Sequence, residues 1–359
     1  MSESLRTSLD HALRDRGTIK EVRRRSGGHP NHFAIRLDFR LRSGASGHFS
    51  FRVGAKPAGG FEVQSEECKI FDLSKGLGEQ GEHYYAVKSG RVITSSMQLA
   101  PVALPDRLYL VAASGLPEFR PVFDALSRIE VYNLNPKEIG AMQKPDPGDL
   151  LRRDGSNAAS VFQKMSANTR ELVNAYLARI VKGVSDAETK ILGSQETVEF
   201  RQAVKGQRHP WRFLASSMSD GTLRAFGVLL SLFQGRGSNG GPPMLIGLEE
   251  PEMALHPAAT IVLLAALREA SQHTQVVVTS HSPDLLDNSE IATESLLAVE
   301  NEDGITVIGP VDSAGRSVLK ERLFTAGELL RQNQLIPDPD AIADVDSEAQ
   351  LGLFEIDGK

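Results

Sequence analysis

The stretch that decides the fold is MLIGLEEPE, residues 244–252. An apolar run leads directly into two adjacent carboxylates, Glu249 and Glu250. Continuous apolar strands are typical of a parallel sheet covered by helices on both faces, and such sheets bind ligands at the carboxyl ends of their strands. There Glu249 is suited to hold Mg²⁺, and Glu250 to orient or deprotonate a water that attacks a phosphate. A strand that simply ends in solvated acids explains this motif alone equally well.

A second apolar run, QVVV, leads into TSHSPDLLD at residues 279–287. His281 is therefore expected at the tip of a second buried strand, at the same sheet edge as the two glutamates. From there it could donate a hydrogen bond to a γ-phosphate or to the attacking water. One alternative is a capping histidine. Another is a chance mimic of a hydrolase triad with Ser280, Ser282 and Asp284, which is disfavoured because side chains so close in sequence cannot easily form the relay.

The third motif, SSMSDGTLR at residues 216–224, is a polar turn that opens a long apolar helix. Ser219 offers a hydroxyl, Gly221 allows close approach of the backbone, and the N-terminus of the helix follows. The N–H groups and positive dipole end of a helix N-terminus bind phosphate oxygens. An N-capped helix that needs no ligand is the alternative.

Helical patterns alternate with the apolar strands in the last third, which predicts an α/β fold with a parallel sheet. The first third instead predicts a short helix over residues 5–13, followed by antiparallel strands with period-two alternation. Between them, prolines mark residues 128–154 as a connector before a further helix and a short strand. We therefore predict four segments: a helix with a β-rich lobe at 1–135, a helical connector or insert at 136–210, an α/β segment with the three motifs at 211–330 and an acidic tail at 331–359.

The composition of the chain excludes several classes of protein. The 359 residues are 40% apolar and 24% charged, which excludes the disordered, collagenous and membrane classes, and the formal charge of −6 does not indicate a nucleic-acid binder. The one cysteine, Cys68, excludes an intramolecular disulfide framework and fits a reducing cytoplasm. No run approaches the roughly 20 apolar residues of a membrane span. Charge is uneven, because residues 1–60 hold 12 Lys/Arg and 5 Asp/Glu.

Taken together, the order of the three motifs resembles the C-terminal half of ABC-class ATPases. SDGT stands at the place of the signature loop, LEE at the end of the Walker B strand, and TSH at the switch histidine. EEPEMALHP and TSHSPDLLD are similar to the RecF, SMC and OLD branch, particularly its stand-alone prokaryotic AAA-family members. The resemblance is strong over about residues 210–290. More loosely, SGLPEFRPVF, RRDGSNAAS and GELLRQNQL extend it over most of the chain, from just after the place of the Walker A helix to the C-terminus. It implies a P-loop NTPase-like parallel sheet flanked by helices, with a β-rich N-terminal portion and a helical insert.

The resemblance also implies cofactors, partners and roles. The cofactors are ATP and Mg²⁺, with Glu250 as the catalytic base, Glu249 supporting Mg²⁺, and His281 sensing the γ-phosphate. Because ABC-class sites are composite, the residues that contact the γ-phosphate of a nucleotide held by the opposite subunit are Ser219, Gly221 and Thr222. The partner is a second copy of the chain or a chain that carries a Walker A motif. Leu255 and His256 stand where the family's D-loop often has an Asp.

One motif of the family is missing, since no GxxxxGK[ST] occurs in the chain. We interpret this as a sequence that begins just downstream of the first strand and its P-loop, and we expect the sheet to lack a strand beside the one that ends in Glu249. The chain is then an ATPase only if a Walker A motif is supplied, and alone it binds ATP weakly. The alternative is a non-catalytic interaction subunit, or a truncated fragment, that supplies signature residues in trans.

A DNA partner is suggested by the basic first third, densest at Arg23, Arg24 and Arg25, and by the resemblance. The alternative for these arginines is a solvated basic turn. A nuclease is disfavoured, because the short stretch after His281, with its lone DPD at 338–340, leaves no room for the acidic residues of a Toprim domain.

Overall fold

The computed structural model describes residues 1–23, 31–72, 81–237, 241–302 and 304–342. The chain divides into two compact units, which are described separately below. Unit 1 comprises Met1–Arg128, Glu300–Gly309 and Pro339–Lys359, and unit 2 comprises Ile129–Val299 and Pro310–Asp338. Arg24, Arg25 and most of the predicted acidic tail lie outside the described residues. Among the described residues, none of the helices has the length and apolar character needed to cross a bilayer.

Unit 1 is built on an antiparallel sheet with the strand order β1-β2-β3-β4-β5. The strands are β1 (His32–Arg40), β2 (Ser46–Ala55), β3 (Phe61–Asp72), β4 (Gly81–Lys88) and β5 (Arg91–Ser95). The helices are α1 (Ser2–Arg6), α2 (Leu9–Arg14), α3 (Ile19–Val22), α4 (Leu110–Ala113) and α5 (Arg120–Ser127). The predicted N-terminal helix is therefore divided, because the side chain of Ser8 caps a new helix by accepting from the His11 N–H.

The period-two pattern of the first third is confirmed as antiparallel strands. Phe49, Phe51 and Val53 of β2 are fully buried and line one face of the sheet, where Cys68 of β3 is paired with Phe49. Burial extends to polar residues, since Glu66 and Glu67 of β3 point to opposite faces and both are almost inaccessible. Along β3, therefore, both faces of the unit 1 sheet carry buried side chains.

Unit 2 contains two sheets and most of the helices. Its strands are β6 (Ile129–Tyr132), β7 (Val184–Leu192), β8 (Gln195–Gln202), β9 (Trp211–Leu214), β10 (Leu245–Glu249) and β11 (Gln275–Thr279). Its helices are α6 (Pro136–Gly140), α7 (Ala158–Lys164), α8 (Ala167–Ile180), α9 (Asp220–Phe233), α10 (Thr260–Ser271), α11 (Pro283–Leu286), α12 (Ser313–Lys320) and α13 (Ala326–Arg331). A further two-stranded sheet is formed by β12 (Leu297–Glu302) and β13 (Ile305–Pro310), and most of its residues belong to the Glu300–Gly309 part of unit 1.

The predicted α/β fold with a parallel sheet is confirmed. The order is β11-β10-β6, and β10 pairs in parallel with both neighbours. The apolar helix α9 lies in the core beside it, with Phe226, Leu229 and Phe233 fully buried. The predicted helix–strand alternation of the last third therefore produces the core of unit 2, as expected for buried parallel strands.

Two expectations about this sheet are wrong. Residues 128–154 are not only a connector, because Ile129–Tyr132 forms β6. The place beside the strand that ends in Glu249 is also not vacant, because the backbone groups of β10 are paired on both sides. Within the described residues, the strand edges without a partner are the outer edges of β6 and β11.

The predicted helical cover of both sheet faces is incomplete. The face formed by Ile246 and Leu248 is buried in the core, whereas Val131 and Val277 on the other face are 46% and 44% exposed. Gly247 lies between these two valines, and a Cβ atom there would come within 3.2 Å of a methyl group of Val131. This face is therefore flat and partly open to solvent.

The segment 136–210, predicted as a helical connector, contains helices and strands. It includes α6, α7 and α8, but also β7 and β8, which form an antiparallel sheet with β9 in the order β7-β8-β9. Val198 and Phe200 of β8 are fully buried in the same core as α9. The segment is therefore continuous with the core of unit 2.

Candidate functional site

The ends of β10 and β11 bring the predicted acidic and histidine motifs together. Glu249 is the last residue of β10 and is paired in register with Thr279, the last residue of β11. The N–H of Glu250 donates to the carbonyl oxygen of Thr279 at 2.9 Å, so the ladder continues one residue past the strand. Parallel pairing places both strand ends at one edge, and Glu249, Glu250 and His281 follow from it.

The backbone after β10 turns sharply at Glu250. Its φ of +44° lies in the left-handed region, and Ala254 four residues later has a φ of +63°. Neither residue is a glycine, so both conformations are strained, and such strain is concentrated at functional sites. The N–H of Met253 donates to the carbonyl oxygen of Glu250 at 3.0 Å and closes the turn.

Glu250 and His281 face the same space above the strand ends. The His281 Nε2 and Glu250 Oε1 atoms are 3.9 Å apart, which is longer than a hydrogen bond. The His281 side chain is 88% exposed and that of Glu250 36%. Both groups are therefore accessible to a ligand, and they do not form a hydrogen bond with each other.

Glu249 fits the requirements of a magnesium ligand. Its carboxylate is 43% exposed, and the Arg153 Nη2 atom lies 3.8 Å from Oε1, beyond hydrogen-bond distance. Mg²⁺ prefers one or two carboxylates and completes its octahedron with water and phosphate oxygens. An accessible carboxylate at the strand edge, with no hydrogen bond to its oxygens from the residues that the structure describes, suits that role.

The third motif lies at the start of α9. Ser219 caps this helix, its hydroxyl accepting from the Thr222 N–H at 3.3 Å and lying 2.9 Å from the Thr222 hydroxyl. Thr222 is buried, and its contact with Ser219 fixes the position of the Ser219 hydroxyl. The 14-residue helix presents its free N–H groups and positive dipole end at this point.

Gly221 joins the third motif to the turn after Glu250. A Cβ atom on Gly221 would lie 2.4 Å from the carbonyl oxygen of Ala254, so only glycine permits this approach. The first turn of α9 and the residue 250–256 loop are therefore in direct backbone contact. All three motifs belong to one continuous region of unit 2.

Gly221→Ala is expected to destabilise this contact. Because the clashing atom is a backbone carbonyl, the loop or the helix must shift, and overpacking of this kind costs about 1–3 kcal/mol. Urea denaturation measures the loss in free energy of unfolding. Gly115→Ala is the matched control, since its Cβ atom would meet nothing closer than 3.7 Å. Equal stability of the two variants would contradict the close approach.

Sequence reasoning missed two contacts of the region. The hydroxyl of Ser280 donates to Oε1 of Glu252, which ties the loop after β10 to the loop after β11. Arg153 approaches Glu249 from a loop that follows β6, and its own carbonyl accepts from the Asn133 N–H. Glu252 belongs to the EEPE run, and Arg153 lies in RRDGSNAAS, a stretch that the resemblance covers loosely without giving the arginine a role. Leu255 and His256, in the predicted D-loop, continue the turn, and His256 caps a short 3-10 helix at Pro257–Ala259.

The residues fit a γ-phosphate and Mg²⁺ better than a whole triphosphate. Carboxylates, a histidine and a helix N-terminus can contact the reacting end of ATP. The cradle for the other phosphates is normally formed by a glycine-rich loop with a lysine, and the sequence has no GxxxxGK[ST]. The site of this chain therefore fits part of the nucleotide.

Comparison with known proteins gives a family match and distant structural similarities. A family model described as "AAA domain, putative AbiEii toxin, Type IV TA system" matches residues 89–287. No curated protein sequence matches the chain.

Solved structures of SMC head domains are similar at low identity. The SMC head bound to the C-winged helix domain of ScpA is 13% identical, with a TM-score of 0.45 over 77% of this chain and 73% of that chain. The head from Thermotoga maritima is 14% identical, with a TM-score of 0.33 over 74% of each chain. The Pyrococcus furiosus head bound to the C-terminal domain of ScpA is 10% identical, with a TM-score of 0.41 over 78% of this chain and 80% of that chain.

Proposed function

The chain belongs to the AAA domain family described as putative AbiEii toxin, Type IV TA system, and on this premise we propose that it carries the hydrolytic edge of an ABC-class ATPase. The observation that supports this most directly is the convergence of Glu249, Glu250 and His281 at one sheet edge. Two carboxylates and a histidine on adjacent parallel strands suit phosphoryl transfer to water, which depends on positioning and charge stabilisation.

Each side chain then has a distinct role. Glu250 orients the attacking water and accepts its proton, and His281 donates a hydrogen bond toward the γ-phosphate. Glu249 holds Mg²⁺, which when bound neutralises charge on the phosphate oxygens. Ser219 and Gly221, with Thr222 supporting the cap, offer a hydroxyl and helix N–H groups to a γ-phosphate held by another subunit.

The proposal requires that another polypeptide segment supply the phosphate-binding lysine loop. The 359 residues contain no GxxxxGK[ST], so two copies of this stretch alone do not supply the loop. We therefore favour a partner that carries the loop. ATP-dependent dimerisation would then act on DNA or on a partner protein, in the cytoplasm.

A mixing experiment tests this function. The full chain is combined with a fragment that contains a strand, a GxxxxGK[ST] loop and its helix, and phosphate release from Mg-ATP is measured. We expect background turnover by the chain alone and measurable turnover by the mixture. A fragment whose loop lysine is replaced by alanine is the matched control. Robust turnover by the chain alone, abolished by Glu250→Gln, would contradict the missing loop, and a mixture that stays at background would argue against a split enzyme.

The second candidate is a non-catalytic subunit that supplies only Ser219 and Gly221 in trans. The absence of GxxxxGK[ST] favours it, whereas the presence of Glu250 and His281 at the same edge favours catalysis. ATP titration with and without Mg²⁺, followed by sizing for a dimer, distinguishes the two. In the non-catalytic case Glu250→Gln leaves the activity of any complex unchanged, while Ser219→Ala lowers it.

A further inference from the structure

One end of the β7-β8-β9 sheet carries an exposed basic loop. Because the sheet is antiparallel, the start of β7, the end of β8 and the start of β9 lie at the same end. The N–H of Ala203 donates to the carbonyl oxygen of Gly183 at 2.8 Å, which holds the start of the loop against the residues before β7. Within the loop, the Gln207 N–H donates to the carbonyl oxygen of Val204 at 3.1 Å and forms a turn.

The charge at this end has a single sign. The run AVKGQRHPWR, residues 203–212, contains no Asp or Glu, and neither does the segment 179–184 that precedes and begins β7. Lys182, Lys205 and Arg208 are exposed. None of these three cations has an ion-pair partner among the residues that the structure describes. They are therefore available to an external anion.

The acidic residues on the charged face of the same sheet form ion pairs with Arg201 and Arg212. On its charged face, Arg201 lies 3.3 Å from Asp186 and 3.0 Å from Glu188, and Arg212 lies 3.4 Å from Glu199. These carboxylates are thus balanced within the sheet. They do not neutralise the cations of the loop, and Arg201 and Arg212 are not counted as part of the basic end.

An aromatic side chain lies at the same end of the sheet, directly after the basic loop. Trp211 opens β9, is 51% exposed, and is the only tryptophan of the chain. Its ring is tilted by 34° against that of Phe213, with 6.3 Å between centroids, and its backbone is paired with Gln202 of β8. A half-exposed indole supported by a strand and a neighbouring ring is a rigid stacking surface.

We propose that this basic tryptophan end, formed by Lys182, Lys205, Arg208 and Trp211, binds single-stranded nucleic acid. The cations contact successive phosphates, and an unpaired base stacks on the indole, which is the combination used by sequence-tolerant single-strand binders. A duplex keeps its bases stacked on one another and cannot offer a free base face to Trp211. The surface lies within unit 2 and does not involve the basic run at Arg23.

This proposal rests on the proposed function in one respect only, the expectation of a DNA partner. Its test needs no nucleotide and no phosphate-loop fragment, so the failure of one proposal is distinguishable from the failure of the other. Loss of ATPase complementation would leave the binding result unaffected. Loss of nucleic-acid binding would likewise leave the hydrolytic edge intact.

Tryptophan fluorescence provides the direct measurement. The full chain is titrated at low salt with an oligo-dT of about 15 nucleotides, and we expect quenching of the Trp211 fluorescence. With three phosphate contacts, log K should fall with log salt with a slope of about −2. Lys205→Glu with Arg208→Glu is expected to weaken binding at least tenfold. The matched control is Lys137→Glu with Lys144→Glu, which makes the same charge change near the bridge between Gln143 and Glu196, at the opposite end of β8.

Stacking is tested separately with a labelled oligonucleotide and anisotropy. Trp211→Ala is expected to weaken binding about tenfold, and Trp211→Phe to retain most of it, because any aromatic face stacks on a base. A duplex of the same length should bind more weakly than the single strand. The proposal is overturned if there is no binding at low salt, if the Lys137 and Lys144 variant loses as much affinity as the Lys205 and Arg208 variant, or if duplex and single strand bind equally.

Discussion

Glu250→Gln is expected to lower ATP turnover by the complemented chain by about 10²–10⁴-fold, the usual contribution of a positioned general base. The amide keeps the shape of the side chain but cannot accept a proton, so binding of Mg-ATP should change little. Single-turnover phosphate release measures the loss, and nucleotide binding is measured in parallel. If binding of Mg-ATP falls as much as turnover, Glu250 stabilises the bound nucleotide and not specifically the transition state.

Glu252→Gln is the matched control for this prediction. Glu252 lies two residues away on the same turn, but its Oε1 accepts from the Ser280 hydroxyl and so serves the contact between the two loops. We expect this variant to affect turnover far less than Glu250→Gln. Equal losses would indicate that both changes act by disturbing the loop, and they would remove the case for a specific base at Glu250.

The second large effect concerns pH and unit 1. Glu66 is 1% exposed and accepts hydrogen bonds from the Tyr85 hydroxyl at 2.7 Å, the Tyr109 N–H at 2.5 Å and the Leu110 N–H at 2.7 Å. Burial raises its pKa from 4.5 to about 7, and the three hydrogen bonds offset only part of this rise. The folded chain therefore holds a proton at pH values where the unfolded chain has released it.

The free energy of unfolding is accordingly expected to fall as pH rises from about 4.5 to about 7. Over this window the folded state binds more protons than the unfolded state, so the slope of stability with pH is negative, and the total change from this group is about 3 kcal/mol. Below the window its contribution is fully present, and above it the loss is complete. Urea denaturation at a series of pH values measures the slope.

Glu66→Gln removes this titration and should flatten that slope, since the amide carries no charge at any of these pH values. Glu118→Gln is the matched control, because it makes the same change at an exposed glutamate of the same unit. A slope that persists in Glu66→Gln would assign the pH dependence to another group.

Much of the fold follows from periodicity. The alternation at residues 33–39 predicts β1, and the apolar runs before Glu249 and Thr279 predict β10 and β11. Burial follows these patterns only in part, since Val277 at the centre of β11 is 44% exposed. β6 was missed because IEVY is only four residues long, carries a buried Glu130 at its centre, and is followed closely by Pro136. A pattern that short does not distinguish an edge strand from a connector.

The candidate site is predictable only where it depends on strand geometry. Parallel strands end at one edge, so the juxtaposition of Glu250 with His281 could be inferred from two sequence motifs. The hydrogen bond between Ser280 and Glu252 depends on the path of two loops, which no periodicity encodes. The burial of Glu66 was likewise not foreseen, since the backbone N–H groups that donate to its carboxylate lie more than forty positions along the chain.

The contact between Gly221 and the Ala254 carbonyl has a consequence for cooperativity. In the proposed composite enzyme, the first turn of α9 faces the nucleotide of the partner, whereas the loop after Glu250 belongs to the chain's own hydrolytic edge. With no side chain between them, a displacement of one backbone must displace the other. Occupancy of one nucleotide site would thus alter the affinity of the second, so that the two bind as a coupled pair whose coupling energy is reciprocal.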